Sequence, residues 1–300
     1  MSEGKPASPG ARLRAAYSGR CIAMPGVFNA LVARMAERAR FEGIYLSGAA
    51  LSASSGLPDI GLLSMSELTE QARLITAASS LPLLVDADTG FGGPLNVERA
   101  VGELERAGAA GVQLEDQQLP KRCGHLSGKS LVSAEEMEQK IRAAASARLD
   151  PDFVIVARTD ARGVEGFKAA VGRARRYLAA GADVIFPEAL ESHDEFAGFS
   201  RSVEAPLLAN MTEFGRSPAL SVAQLDELGY RIALFPVSTL RAAMKAAERA
   251  LEEIGRSGSQ QTLLDSMQTR AELYDLLGYE GYETRDRAYF GSSASGDRKR

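Results

Sequence analysis

Eight times along this chain a short β-branched or apolar run gives way to a longer stretch of helical periodicity, and no other feature restricts the fold as much. Strands are predicted over residues 21–24, 43–46, 81–86, 111–114, 153–157, 183–186, 207–210 and 232–235, with helices over 96–107, 134–148, 165–180 and 223–228 among the segments between them. In "ERAGAAGVQLED" and "YLAAGADVIFPE" a helix ends at Gly just before a buried strand, as αβ loops do. Strict alternation of the two element types implies parallel strands with right-handed crossovers. Eight such units in 300 residues, 45% of them hydrophobic, favour a single α/β domain of the closed (β/α)8 TIM-barrel type over an open sheet. No Gly-x-Gly-x-x-Gly follows the first strand, which counts against a dinucleotide-binding fold.

After the eighth strand a helix is expected over 240–254, and the amphipathic segment "TLLDSMQTRAELYDLLGYEGYETR" exceeds what barrel closure requires. Such surplus helices are expected to pack on the barrel or on a neighbouring subunit. Residues 1–290 are therefore taken as one catalytic domain, and the small polar end "GSSASGDRKR", 291–300, as a disordered tail. Thirty-five Lys and Arg against 39 Asp and Glu leave a net charge of −4, which gives no reason to expect a nucleic-acid or membrane partner. The apolar runs are strand-sized, and the first twenty residues lack the apolar core of a secretion signal. Cys21 and Cys123 do not stand at disulfide-framework spacings, so reduced thiols and a cytoplasmic location are expected.

In a barrel of parallel strands the chemistry gathers at the carboxyl ends. Polar residues collect there: Ser47 after strand two, Asp86 and Asp88 after three, Glu115 and Asp116 after four, Arg158 and Asp160 after five, Glu188 after six, Asn210 and Thr212 after seven, Ser238 after eight. One such residue is an ordinary helix cap; a set spread around the ring points to a site. In "LLVDADTGFGG" Asp86 and Asp88 are two apart, so strand alternation places them on one side. Paired carboxylates repel unless a proton or cation separates them, and oxygen-only ligands suit Mg2+.

"KRCGHLSGKS" sets Cys123 between Arg122 and Gly124, with Lys121 and His125 close by. Neighbouring positive charge favours a thiol able to exchange protons near neutrality, and an inert buried thiol is not normally flanked in this way. His125 taken alone is better explained as a loop hydrogen-bonder than as a catalyst. In "ARTDAR" and "ANMTEFGRSP", Arg158 offers a planar fork to a carboxylate, and Asn210 and Thr212 can hydrogen-bond another. The alternative for Arg158 is an ion pair with Asp160 or Glu188.

Taken in order, "YLSG", "GLPDIG", "DADTGFG", "LEDQ", "KRCGH", "ARTDA", "FPEA", "NMTEFG" and "MQTRAELY" resemble the isocitrate lyase and phosphoenolpyruvate mutase superfamily over residues 13–282, and within it the 2-methylisocitrate lyase family. The resemblance implies a homotetramer whose terminal helices swap between subunits. It implies Mg2+ at Asp86 and Asp88, inside an acidic shell that includes Asp59 and Glu115; whether Mn2+ can replace it is left open by the sequence. A small tricarboxylate would be held by Ser47, Gly48, Ala49, Cys123, Gly124, Arg158, Glu188, Asn210, Met211, Thr212, Arg241 and Arg270. The implied reaction splits 2-methylisocitrate into pyruvate and succinate, a step of the methylcitrate cycle in propionate catabolism. Tyr45 would take the hydroxyl proton, Cys123 would protonate the departing carbon, and Lys121 and His125 would stand beside it. Isocitrate, which lacks one methyl group, differs by only ~1–3 kcal/mol in an apolar pocket. By resemblance, isocitrate lyases carry bulkier aromatics near strands six and eight, whereas this chain has Phe186 and Leu234 there and no Trp. The chain departs from the family at "SGAALSASSG", where Ala49 and Ala50 replace a Gly-rich run and add Cβ atoms near a substrate carboxylate. The rival expectations are an isocitrate lyase or another substituted-malate lyase, and, from a different class, a non-catalytic barrel.

Overall fold

A computed structural model describes residues 6–290; the tail expected at 291–300 lies outside the described residues. All eight predicted strands form, within a residue or two of the expected bounds: β1 (Ile22–Pro25), β2 (Ile44–Leu46), β3 (Leu83–Asp86), β4 (Gly111–Glu115), β5 (Val154–Thr159), β6 (Val184–Pro187), β7 (Leu208–Asn210) and β8 (Ile232–Phe235). Every ladder is parallel, in two sheets ordered β1-β8-β7 and β2-β3-β4-β5-β6. The sheets meet at both edges, where Gly26 bridges Tyr45 and Ile185 bridges Leu207. At those joins the Val27 N–H donates to the Tyr45 carbonyl at 2.8 Å and the Ile185 N–H to the Pro206 carbonyl at 3.0 Å. Each strand thus has its chain neighbours on either side and the ring has no open edge.

The period of two along each strand sorts the core into two layers. Leu84, Val154, Val156, Val184, Phe186, Leu208, Ile232 and Leu234 face inward and pack together. Leu83, Val85, Val112, Leu114, Ile155, Ala157 and Ile185 face outward, against helices such as Pro94–Arg106 and Phe167–Ala179. Those two helices end just before Gly108 (φ +86°) and Gly181 (φ +112°), a backbone region where Gly is favoured, and the chain turns straight into the next strand.

A helix not expected before β1 spans Pro9–Tyr17, capped by the Ser8 hydroxyl, which accepts from the Ala11 N–H at 3.1 Å. Its Leu13 and Tyr17 join the inward layer, and Arg14 reaches the Asp152 carbonyl (2.8 Å) and the Asp183 carboxylate (2.8 Å) just ahead of β5 and β6. The helix therefore plugs the amino end of the ring and leaves the carboxyl end as the open one.

The chain divides into two compact units, through Ala242 and from Ala243 onward. The second holds most of helix Ser238–Ser257, a 3-10 turn at Gln261–Ser266, and helices Arg270–Leu277 and Tyr279–Phe290. Among its described residues only Leu276 is buried, while Leu251, Ile254, Tyr282 and Tyr289 are exposed. No helix among the described residues is long and apolar enough to cross a membrane.

Candidate active site

At the carboxyl ends of the strands lies a cavity of about 580 Å3, open to solvent. The alternation that sends Leu84 and Val156 inward also sends Asp86 and Arg158 inward two residues later, above the apolar layer. Tyr45, Ser47, Ala49, Asp59, Asp86, Lys121, Cys123, Gly124, His125, Arg158, Glu188, Asn210, Thr212 and Arg241 all line this one cavity, joined by Phe186 and Leu234.

Beneath it Asp86, Asp88 and Glu115 each bring a carboxylate oxygen within 4.8 Å of the others. Strand alternation does not place Asp88, as the sequence suggested, because β3 ends at Asp86. Asp88 sits one turn later at φ +49°, and its N–H donates to Asp86 Oδ1 at 3.2 Å. Gly48 lies close against both carboxylates: its N–H donates to Asp86 Oδ2 at 3.2 Å, and a Cβ there would be 3.3 Å from an oxygen of each. Burial, then the negative Asp86, raises the Asp88 carboxyl to about 6, although Lys121 pulls the other way. Burial pushes Glu115 well up as well; Arg158 is its ion partner at 3.0 Å, yet neither Glu115 oxygen accepts a hydrogen bond. The group is short of positive charge and offers only oxygen, which fits a hard divalent cation. Lys121, 3% exposed, supplies part of that charge: its ammonium pairs with Asp59 and, at 2.7 Å, with Asp88. Burial would lower its pKa, but Asp88, Glu115, Asp86 and Asp59 together raise it.

Tyr45 is buried and donates its hydroxyl hydrogen to Gln113 Oε1. Burial first, and Asp86 next, raise its pKa well above that of a free phenol, so the resting group is protonated. For Arg158 the ion-pair alternative is realised. Its Nε stands 2.9 Å from Asp160 Oδ2 and 3.4 Å from Glu188 Oε2, and the guanidinium lies over the Phe186 ring at 5.3 Å. It nevertheless lines the cavity, so a substrate carboxylate would share the fork rather than meet it free.

Cys123 is exposed and faces the cavity. Two of the residues read beside it in the sequence are engaged elsewhere, Lys121 with the acidic group and His125 with Glu188, whereas Arg122 lines the same cavity. His125 Nδ1 accepts the Arg216 N–H at 3.0 Å, so the hydrogen-bond pattern assigns the ring proton to Nε2, which stands 2.9 Å from Glu188 Oε1. Asn210 donates to the same carboxylate at 3.3–3.4 Å, and its Oδ1 accepts the Thr212 N–H at 3.0 Å.

Ser47 caps helix Gly48–Ser54, its hydroxyl accepting from the Ala50 N–H at 3.3 Å. The Cβ of Ala50 goes into the protein, 1% exposed, while Ala49 lines the cavity. The close approach thus belongs to Gly48, which this chain retains. Met211 does not reach the cavity: it is buried, its sulfur accepts the Leu220 N–H at 3.4 Å, and its own N–H donates to the Leu234 carbonyl. Arg241 lies over Phe214 and 3.5 Å from Glu213. Arg270 opens helix Arg270–Leu277 in the second unit.

The model of the phosphoenolpyruvate phosphomutase family matches residues 13–255. The chain belongs to that family. It is 57% identical over 279 residues to the 2-methylisocitrate lyase of Aeropyrum pernix, covering 93% of this chain and 90% of that one. In structure this phosphoenolpyruvate phosphomutase family member is similar to 2,3-dimethylmalate lyase (TM-score 0.89, 35% identity, 99% and 100% of the two chains). It is also similar to phosphonopyruvate hydrolase bound to oxalate and Mg2+ (TM-score 0.85, 36% identity, 95% and 99%). The family fold thus serves different reactions, and the site has to distinguish them.

Three supporting residues escape the sequence. Gln113 holds the Tyr45 phenol, Arg216 holds His125, and Lys129 pairs with Asp160 at 2.7 Å. Gln113 stands two residues before Glu115 on β4, and inward alternation could have signalled it. Arg216 and Lys129 sit on loops, where no periodicity applies.

Proposed function

We propose that this chain, a carbon–carbon lyase, cleaves 2-methylisocitrate into pyruvate and succinate. The observation that carries the proposal is that one cavity is lined by Asp86 of the acidic group, the Arg158 fork and the exposed Cys123 thiol. The 57% identity to a 2-methylisocitrate lyase, against 35% to the dimethylmalate enzyme, supports the choice of substrate. So do Phe186 and Leu234, which line the cavity without a Trp to fill the space of a methyl group.

Asp86, Asp88 and Glu115 are the residues that would hold the cation, taken as Mg2+ with Mn2+ as substitute. A bound ion supplies Lewis-acid stabilisation to oxygens of an α-hydroxy acid. The residues of the chain do the rest. Arg158, Asn210, Thr212 and Arg241 bind substrate carboxylates, and Glu188 holds Arg158 and Asn210 in place. Tyr45 is assigned to the substrate hydroxyl; since its resting phenol is protonated, a role as base requires ionisation in the substrate-bound state. Loss of the hydroxyl proton lets the oxygen become the carbonyl of pyruvate as the C–C bond breaks. The electron pair remains on the succinyl carbon and takes a proton from the Cys123 thiol. His125, fixed by Arg216 and Glu188, orients the loop instead of carrying a proton, and Lys121 balances the acidic group.

The proposal extends to a cytoplasmic homotetramer in which the helices after Ala243 pack on a neighbouring subunit, consistent with their exposed Leu251, Ile254, Tyr282 and Tyr289. A role for Arg270 in substrate binding belongs to the same proposal. An assay in Mg2+ should show pyruvate release from 2-methylisocitrate exceeding both glyoxylate release from isocitrate and turnover of 2,3-dimethylmalate. Faster reaction with either of the other two substrates overturns the assignment.

A further inference from the structure

The loop that carries Cys123 is held at its neck, at His125 by Glu188 and Arg216, and from inside by Lys129. At its neck Gln117 bridges Leu131, the Gln118 N–H donates to the Ser130 carbonyl at 2.8 Å, and the Gln117 side chain exchanges two hydrogen bonds with the Arg122 backbone (2.8 and 2.9 Å). These contacts close the base of the loop but do not position its tip. Inside the loop Lys129 turns its side chain inward until 4% of it remains exposed. Its ammonium donates to the carbonyl of Gly124, the residue after Cys123, and stands 2.7 Å from Asp160 Oδ1. Asp160 is fully buried and holds Arg158 with the same carboxylate, at 2.9 and 3.2 Å.

We propose that Lys129 is a positioning residue that seats Cys123 over the cavity by tying the Gly124 carbonyl to the carboxylate that also holds Arg158. A buried ammonium is tolerated only when paired, and Lys129 has its charge partner solely in the seated loop. Asp160 keeps Arg158 when Lys129 is neutralised, so the barrel retains its pairing and His125 its hold on Glu188, while the Gly124 carbonyl beside the thiol loses its tether. The coupling runs both ways. A substrate carboxylate that takes part of the Arg158 fork leaves Asp160 more dependent on Lys129, and occupancy and seating then favour one another. The consequence for turnover rests on the proton-donor role proposed for Cys123; the tether itself does not.

The test is hydrogen exchange of the full-length protein, followed by mass spectrometry, together with steady-state kinetics for Lys129→Met and Lys129→Arg. Exchange over residues 123–128 should rise about 10-fold in Lys129→Met, with β4 and β5 unchanged. With 2-methylisocitrate, kcat should fall about 10- to 100-fold while KM stays within about 3-fold, because a misplaced donor slows the step without removing the carboxylate grips. Lys129→Arg should recover part of both. Unchanged exchange in Lys129→Met overturns the tether, and raised exchange with wild-type kcat overturns its role in seating the thiol. If the wild type releases no pyruvate, the lyase assignment fails and exchange alone decides the tether. Lys129→Gln, which keeps a donor but loses the charge, is read by the same criteria if Lys129→Met does not fold.

Discussion

His125 Nε2 stands 2.9 Å from Glu188 Oε1, and this contact joins the loop after β4 to the end of β6. Burial alone would raise the Glu188 pKa, but Arg158, His125 and Lys129 outweigh it and hold the carboxyl at about 2. A carboxyl lowered on folding contributes stability that is complete above its unfolded value, near 4.5, and is lost as pH falls toward 2. A lowering of that size corresponds to on the order of 3 kcal/mol. Glu188→Gln should therefore be less stable than wild type at neutral pH, and the gap between them should narrow steadily from about pH 4.5 to pH 2. Urea unfolding at a series of pH values measures this, and a gap that stays constant across the window contradicts it.

The acidic group predicts a response to cations that does not depend on turnover. Asp86, Asp88 and Glu115 repel one another in a buried site, so a divalent ion bound there should stabilise the fold by about 2.7 kcal/mol at 100 times its dissociation constant. Thermal unfolding after chelation should show a lower midpoint than in Mg2+, restored by adding the ion back. Asp86→Asn should abolish most of that rise. A midpoint in Asp86→Asn that still climbs with Mg2+ as in wild type would place the cation elsewhere.

Cys123 is exposed and belongs to neither core layer, so replacing its sulfur should leave the fold untouched. Cys123→Ser should lower turnover by about 10²–10⁴, the range for loss of a general acid, with the thermal midpoint unchanged. Turnover near wild type would remove the thiol from the reaction.

How much of this was legible in the sequence follows from where periodicity operates. The strands were readable because each is buried on both faces, so β-branched and apolar residues fill them without interruption. Carboxyl-end residues on the strands themselves, Asp86, Glu115, Arg158 and Asn210, followed from the same pattern, because the period of two that fills the ring also aims its last residues into the mouth. Asp88 came out in the right cluster for the wrong reason, since a left-handed turn rather than a strand places it. The first helix was missed because its burial rests on Gly10, Leu13 and Tyr17, of which only two are apolar side chains, too few to show a face. Asp116 looked like a companion to Glu115, but it points outward to Tyr177 (2.7 Å) and Thr159 (2.8 Å) and braces the wall. What the sequence could not show were loop contacts across long separations, such as Lys129 with Asp160 or Arg216 with His125, which no local pattern encodes.

Gly124 offers the narrowest test of how the loop meets the barrel. A Cβ built there would lie 2.4 Å from Arg158 Nη2 and 2.4 Å from Glu188 Cγ, well inside contact distance for both. Neither neighbour can retreat easily: Glu188 is buried at 1% exposure, and Arg158 is held by Glu115 and Asp160. The exposed loop is the softer side, so Gly124→Ala should lift it, drawing the Gly124 carbonyl from Lys129 and the thiol from the cavity. The cost to stability should be small, within about 1 kcal/mol, because the barrel layers are untouched. Turnover should fall about 100-fold, the scale of a misplacement of about 1 Å. A thermal midpoint that collapses while the residual folded enzyme keeps its kcat would show that the barrel, not the loop, absorbs the added methyl group.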